Sequence, residues 1–428
     1  MKSSFLFGKG TIEVSVPDRY RCSEIRSRKA VAVPDETAAI EWALDHPIAS
    51  EPLTELARGK KTAAISVCDI TRPAPNRITL PPLLRRLHAA GIPKDNIIIL
   101  IATGLHRAAT PEEVEIIVGP EIAANYRIAS HNARALSEHR FIGETRRGTP
   151  VYVDERFAAA ELHITLGFIE QHLMLGFSGG RKLIVPGLAA QETIKVIHSP
   201  KFIREPLATE GSIAGNPLHE ELLECARMVR HDFIVDVALT QDRKIAGVYA
   251  GDPVKAHAKG VGFLEATCLE EVDEPADVVI TSAAGFPLDQ TFYQSVKGIT
   301  AAAHIAKPGA PILMVAECAE GMGSAEFQTM VKSLDRSFGE YLDQIRGLPV
   351  GIDRWQIEKL ALAGVQNELY YYAPGVTREQ LGRLASRWFD DLDQAITCVL
   401  SGLSAGARVA LVPEGPYTFA RAGAAAAL

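Results

Sequence analysis

Cysteine is scarce and scattered. Six residues, at positions 22, 68, 225, 268, 318 and 398, occur in 428 without a single CxxC spacing, so neither a disulfide framework nor a thiolate zinc site is expected. Long apolar runs are missing too. A stretch such as 97–101 falls far short of the roughly 20 residues that span a bilayer. The start, MKSSFLFGKG, offers one lysine and a three-residue apolar run, too little for a secretory h-region. Positive charge is not in excess: 45 Lys and Arg face 52 Asp and Glu, for a net charge of −7. That balance argues against a nucleic-acid face, which needs dense Lys and Arg. With 47% apolar and 23% charged residues, the composition fits neither disorder nor a coiled coil. These exclusions leave a soluble cytoplasmic enzyme of two or three domains, without nucleic-acid or membrane partners.

Short β-branched runs alternate with helical periodicity, the pattern of α/β layering. Strands are predicted at 63–67, 97–101, 162–166 and 233–239, with a helix at 80–90 carrying Leu83, Leu84 and Leu87 on one face. The acidic EEVDEP at 270–275 reads as a linker between an N-terminal α/β domain at 1–269 and a second domain at 276–407. In the latter, strands at 278–281, 311–315, near 369 and at 409–412 alternate with helices at 295–305, 324–334, 355–363 and between 377 and 400. That order predicts a small doubly wound, Rossmann-like unit. The segment 408–428 is compatible with either domain, and its end, AGAAAAL, is the one low-complexity piece.

Polar clusters follow the strands directly, where an open α/β sheet places its ligand crevice. CDITRPAPN follows 63–67 with Asp69, Ile70, Thr71 and Arg72; ATGLHR follows 97–101 with His106 and Arg107. After 162–166 comes GFIEQHLMLGFSGGRKLIVPG, with Glu170, His172, Arg181 and Lys182. Each cluster has a plainer alternative. Asp69 and Thr71 could form only an Asx-turn, though that leaves Arg72 unexplained, whose fork suits a carboxylate or phosphate. His106 and His172 taken singly could be surface histidines. FSGGRKLIVP combines two glycines with three donor side chains and suits an anion, yet it is neither a P-loop nor a dinucleotide fingerprint. Lys182 lies between Arg181 and an apolar run, so it reads either as a phosphate clamp or as a nucleophilic amine. QETIKVIH, 191–198, predicts a helix ending in His198. A terminal histidine complements the helix dipole without further purpose, and with no HExxH nearby any metal would need ligands from a cofactor. GMGS at 321–324 reads as a strand-to-helix turn.

Taken together, DITRP, TGLHR, EQH…SGGRKLIVPG, IKVIH and FYQSVKG stand in the order and spacing that resemble the nickel-pincer lactate racemase family. GNPLHEE, AGDPVKAH and PEGPY extend the resemblance over nearly the whole chain. It implies two α/β domains with the active site in the cleft between them. It also implies a nickel-pincer nucleotide, a pyridinium mononucleotide holding Ni(II) through sulfur, carbon and sulfur, covalently tethered at Lys182. By the same resemblance His198 is the nickel ligand, Asp69, Ile70, Thr71 and Arg72 contact the cofactor, and His106 and His172 are the acid/base pair. Arg72, Tyr293, Gln294 and Lys297 contact the substrate, Trp355 is a looser match to a pocket aromatic, and cofactor-biosynthesis proteins are implied as maturation partners.

Elementary chemistry agrees with that assignment. The α-hydrogen of a 2-hydroxy acid is hard to remove as a proton beside an ionised carboxylate. Leaving as hydride it gives a planar keto acid, and its return to the other face inverts C2. No side chain accepts hydride, so a cofactor must, and two histidines can serve the hydroxyl proton of either enantiomer. A nicotinamide-dependent 2-hydroxy acid dehydrogenase is the competing enzyme reading, and it expects a GxGxxG that is absent. A non-catalytic anion-binding protein would have no use for three histidines and Lys182 together.

Overall fold

The computed structural model describes residues 1–334 and 336–423; the alanine-rich 424–428 lies outside the described residues. The chain divides into two compact units, Lys29–Thr267 and a discontinuous one made of Met1–Arg28 with Cys268–Leu428. Both are α/β, as the alternating pattern predicts.

Lys29–Thr267 is built on a six-stranded sheet in the order Ile245–Gly251, Phe233–Leu239, Leu162–Phe168, Ala63–Cys68, Ile97–Ala102, Arg127–Ser130. All neighbours are parallel except the antiparallel edge strand Ile245–Gly251. Its central strands are buried at every position, AAISVC and LHITLGF alike, as strands covered on both faces must be. The helix Asn76–Ala89 packs Leu80, Leu83, Leu84 and Leu87 into that core. It begins four residues before the predicted start, because Pro81 and Pro82 sit within its early turns instead of marking its first one. The direction in which strands are added to the sheet reverses between Ala63–Cys68 and Leu162–Phe168, adjacent parallel strands with opposite onward crossovers. That is the topological switch point of an open sheet.

The second unit carries a wholly parallel sheet in the order Trp388–Phe389, Glu368–Tyr372, Pro311–Val315, Val278–Ser282, Arg408–Val412, Arg21–Glu24. One face is covered by Phe292–Ala303, Ala325–Lys332, Phe338–Ile345 and Arg354–Gln366, the other by Leu392–Leu400 and the N-terminal hairpin Lys2–Phe7/Gly10–Ser15. It is doubly wound, as expected. Two boundaries differ from the sequence reading. Residues 1–28 group with the second unit because Arg21–Glu24 pairs in parallel with Arg408–Val412. The EEVDEP segment is partly a strand, Glu270–Val272 pairing with Ala420–Ala422, an edge contact that composition does not reveal. The segment 408–423 stays in this unit. All six cysteines are free thiols. Among the described residues no helix is long and apolar enough to cross a membrane.

Candidate active site

In the Lys29–Thr267 unit the expected residues gather at the carboxyl ends of the three strands around the switch point. Asp69, directly after Ala63–Cys68, is 7% exposed. Its Oδ1 accepts from Thr71 Oγ1 at 2.7 Å and its Oδ2 faces His106 Nδ1 at 2.7 Å. Burial pushes the Asp69 carboxyl up, but the bonds from His106 and Thr71 and the Arg72 charge outweigh it and leave it below its ordinary value. His106 is carried by the turn after Ile97–Ala102, where Gly104 adopts φ +54° and donates its N–H to Gly187 O at 3.0 Å. Arg72 Nη1 reaches Glu170 Oε1 at 3.1 Å. Arg107, its neighbour in sequence to His106, instead forks onto Glu113, which caps the helix Pro111–Val118; its charge belongs to that cap.

His172 stands on a two-residue ladder, Gln171–His172 against Gly176–Phe177. Its Nδ1 accepts the N–H groups of Met174 and Leu175, both at 3.3 Å. Residues 176–180 match the GxSxG spacing of a nucleophile elbow. The Ser178 hydroxyl, however, donates to Phe168 O at 2.9 Å and accepts from Glu170 N at 3.0 Å, with a 3₁₀ turn, Gly180–Leu183, following. A hydroxyl engaged on both sides by backbone staples the loop and is no nucleophile. The glycine pair is a steric requirement: a Cβ on Gly179, at φ +88°, would lie 2.6 Å from Asp236 Oδ2.

Lys182 lies within that turn and lines a cavity of about 30 Å³ with His172, Met174, Leu175, Pro186 and His198, closed by Ile197, Leu218 and Leu222. His198 caps the helix Gln191–Ile197, and its Nδ1 lies 2.8 Å from Ile194 O. A carbonyl only accepts, so Nδ1 carries the proton and the lone pair sits on Nε2. Burial, together with the Lys182 charge, pushes this imidazole down to about 4, so the ring is neutral, the form that binds a metal. A primary amine and a neutral imidazole with its lone pair on Nε2 on one cavity fit a tethered, metal-bearing cofactor. Among the described residues no cluster of three or more His, Cys, Asp or Glu could hold a metal by itself.

Behind this wall stands a buried polar group in which Arg181, read from the sequence as an anion donor, is a buried brace, and whose other members the sequence reading did not single out. Arg181, 2% exposed, donates to Phe177 O at 2.9 Å, and its Nη1 lies 2.9 Å from His257 Nε2, which itself donates to Ser178 O at 2.7 Å. Burial lowers its guanidinium to about 10 and, with the Arg181 charge, holds His257 neutral. His257 belongs to AGDPVKAH. In GNPLHEE, Asn216 caps the helix Pro217–Met228 through the N–H groups of Leu218 and His219, and its own amide donates to Met174 O at 3.0 Å. Both motifs thus brace the loops that carry His172 and Lys182. Asp236 sits inside Phe233–Leu239; its Oδ1 accepts the Gly180 N–H at 3.2 Å, while Oδ2 is buried without a hydrogen-bond partner. Burial pushes this carboxyl up to about 7, against the pull of Gly180 and Arg181.

A stability prediction follows from Asp236. Between about pH 4 and pH 7 the folded protein keeps a proton that the unfolded chain has released, so stability falls across that window and levels off above it. Asp236→Asn keeps an acceptor for Gly180 and removes the titration. Its stability relative to the parent is expected to rise with pH by at most about 1.4 kcal/mol per unit, reaching a plateau above pH 7. Urea denaturation from pH 4 to 9 measures this, and a pH-independent difference would refute it.

In the other unit Tyr293, Gln294 and Lys297 lie on the helix Phe292–Ala303, with Tyr293 and Lys297 four residues apart on one face. Gln294 Oε1 is buried with no hydrogen-bond partner, an orphan that costs about 1–3 kcal/mol until a donor reaches it. Tyr293 is raised by burial and by its contacts with Asp353, and it hydrogen-bonds the buried Trp355. Asp353, at φ +64°, also accepts from Ser324 Oγ at 2.6 Å. Ser324 closes GMGS as the N-cap of Ala325–Lys332. Trp355 is therefore joined to Tyr293, a link that the sequence match left loose.

Two family models match the chain: "Lactate racemase N-terminal domain" over residues 7–211 and "Lactate racemase C-terminal domain" over 272–418. The lactate racemase of Lactiplantibacillus plantarum is 35% identical over 96% of this chain and 97% of its own length. That of Thermoanaerobacterium thermosaccharolyticum is 32% identical over 97% and 98%. The solved apoprotein of the latter enzyme superposes with a TM-score of 0.91 at 32% identity, covering 98% of this chain and all of that one. A Thermotoga maritima protein of 16% identity, with a TM-score of 0.68 over 92% of the chain, shares the fold.

Proposed function

The chain belongs to the lactate racemase family and is an isomerase of that family, and we propose that it inverts C2 of lactate or a related 2-hydroxy acid with a nickel-pincer nucleotide tethered at Lys182. The observation that carries this reading is the single cavity onto which Lys182, His172 and the neutral His198 all face. In it Lys182 supplies the amine for the tether, His198 Nε2 the ligand to nickel, and Asp69, Ile70, Thr71 and Arg72 the contacts to the remainder of the cofactor. When bound, the cofactor supplies the hydride acceptor that the side chains lack.

The chain's own part is proton transfer and orientation. His106 and His172 take and return the hydroxyl proton as carbinol and carbonyl interconvert. Arg72, steadied by Glu170, and Lys297 each offer a charge-assisted bond to a carboxylate. Gln294 Oε1 would gain from a substrate hydroxyl the partner it lacks. Cofactor-building proteins are the implied maturation partners. The test is protein made alongside those enzymes, examined for intact mass and nickel, then assayed for enantiomer interconversion over a panel of 2-hydroxy acids beginning with lactate. A mass adduct, bound nickel and racemisation of at least one acid are expected; no adduct together with no interconversion would end this reading.

A further inference from the structure

We infer that the two site histidines are fixed in opposite tautomers, and that Asp69 is the positioning residue that makes His106 the resident base. The inference deepens the reading above, which makes both rings proton carriers, and it concerns which ring can receive a proton in the resting protein.

The geometry is asymmetric. His106 Nδ1 lies 2.7 Å from Asp69 Oδ2. An ionised carboxylate can only accept, so Nδ1 carries the proton and Nε2 presents its lone pair. The anchor is firm: Asp69 is buried at a strand end and its other oxygen is held by Thr71 at 2.7 Å. The His106 side chain is 57% exposed, so little protein surrounds the ring and this bond sets its orientation. Arg72, Arg107 and Cys68 also couple electrostatically to Asp69, and both arginines favour its ionised form.

His172 is the reverse. Its Nδ1 receives two backbone N–H groups, from Met174 and Leu175. Amides can only donate, so this Nδ1 is an acceptor and a neutral ring carries its proton on Nε2. The amides are themselves braced, since Asn216 holds Met174 O and the Gln171–His172 ladder closes the loop. Protonating Nδ1 would set three donors against one another. A substrate hydroxyl therefore meets an acceptor at His106 and a donor at His172. When its proton passes to His106 Nε2, the positive charge that forms on the ring is met by Asp69, and the return of that proton restores both groups. His172 Nε2–H donates meanwhile to the oxygen that is losing or regaining the proton.

The tautomers can be read directly. In the full-length protein made without cofactor and labelled with ¹⁵N-histidine, long-range ¹H–¹⁵N spectra at pH 8 should show His106 protonated on Nδ1 and His172 on Nε2, assigned with His106→Gln and His172→Gln. In Asp69→Asn and Asp69→Ala the His106 signals should move toward the Nε2-protonated form that free imidazole favours, while those of His172 stay. Asp69→Asn keeps an acceptor for Thr71 and guards against a folding defect. In the cofactor-loaded protein the same variants should lose about 10²–10⁴ in kcat per bound nickel, a measure that separates this loss from any loss of cofactor contact at Asp69. His106 found protonated on Nε2 in the parent, or an unchanged tautomer in both Asp69 variants, would overturn the inference. If the loaded parent racemises nothing, the functional reading fails, while the spectra still decide the tautomers.

Discussion

Lys182→Ala is expected to abolish covalent cofactor loading entirely, with the intact mass of protein matured alongside the cofactor-building enzymes equal to that of the bare chain. The fold should survive. Lys182 is only partly buried, and its turn is held by bonds that its side chain does not make, Lys182 N to Gly179 O and Ser66 Oγ to Leu183 O, so truncating the side chain removes little packing. Lys182→Arg separates chemistry from charge. It restores the cation but offers no nucleophilic amine, so it too should carry no adduct. Far-ultraviolet circular dichroism and thermal midpoints check the fold, and an adduct that persists in either variant would show that the tether lies elsewhere.

The second large effect separates the three histidines. His106→Ala and His172→Ala should each lose about 10²–10⁴ in rate, the usual contribution of a positioned acid or base, while keeping nickel. His198→Ala should lose the metal, because its Nδ1 is committed to Ile194 O, which leaves the lone pair on Nε2, and the residue lines the cavity shared with Lys182. Comparing forward and reverse rates cannot assign the roles. Two enantiomers have equal free energies, so the ratio of kcat/KM values in the two directions is pinned at one in every variant. Metal analysis is what discriminates. Nickel lost from the His172 variant and kept in the His198 variant would reverse the assignment.

Much of this arrangement is legible in the amino-acid order, for identifiable reasons. Strands Phe233–Leu239 and Pro311–Val315 carry the predicted bounds because each is a β-branched or apolar run. The polar clusters after the strands surface at carboxyl ends because an open parallel sheet leaves them nowhere else to go. Glu270–Val272 and Arg21–Glu24 escape notice since each becomes a strand only through a partner more than 100 residues away. Asp236, and with it the buried role of Arg181 and His257, escapes for another reason. A charge inside FIVDVAL reads as an interruption, and only three-dimensional contact reveals that it faces the Gly179–Gly180 turn. The usable signal was there: an acidic residue in the middle of an otherwise apolar strand is costly to bury and so has an occupation.

The split of one unit across both ends of the chain has a consequence for synthesis. Lys29–Thr267 is contiguous and can condense as soon as it has left the ribosome. The other unit cannot. Its edge strand Arg21–Glu24 is made early and must wait, with the hairpin before it, for Arg408–Val412 to arrive. For that interval a nascent strand stands unpaired beside a folded neighbour, the situation that invites wrong pairing or capture by a holding chaperone. Nearly four hundred residues of loop must close before it ends.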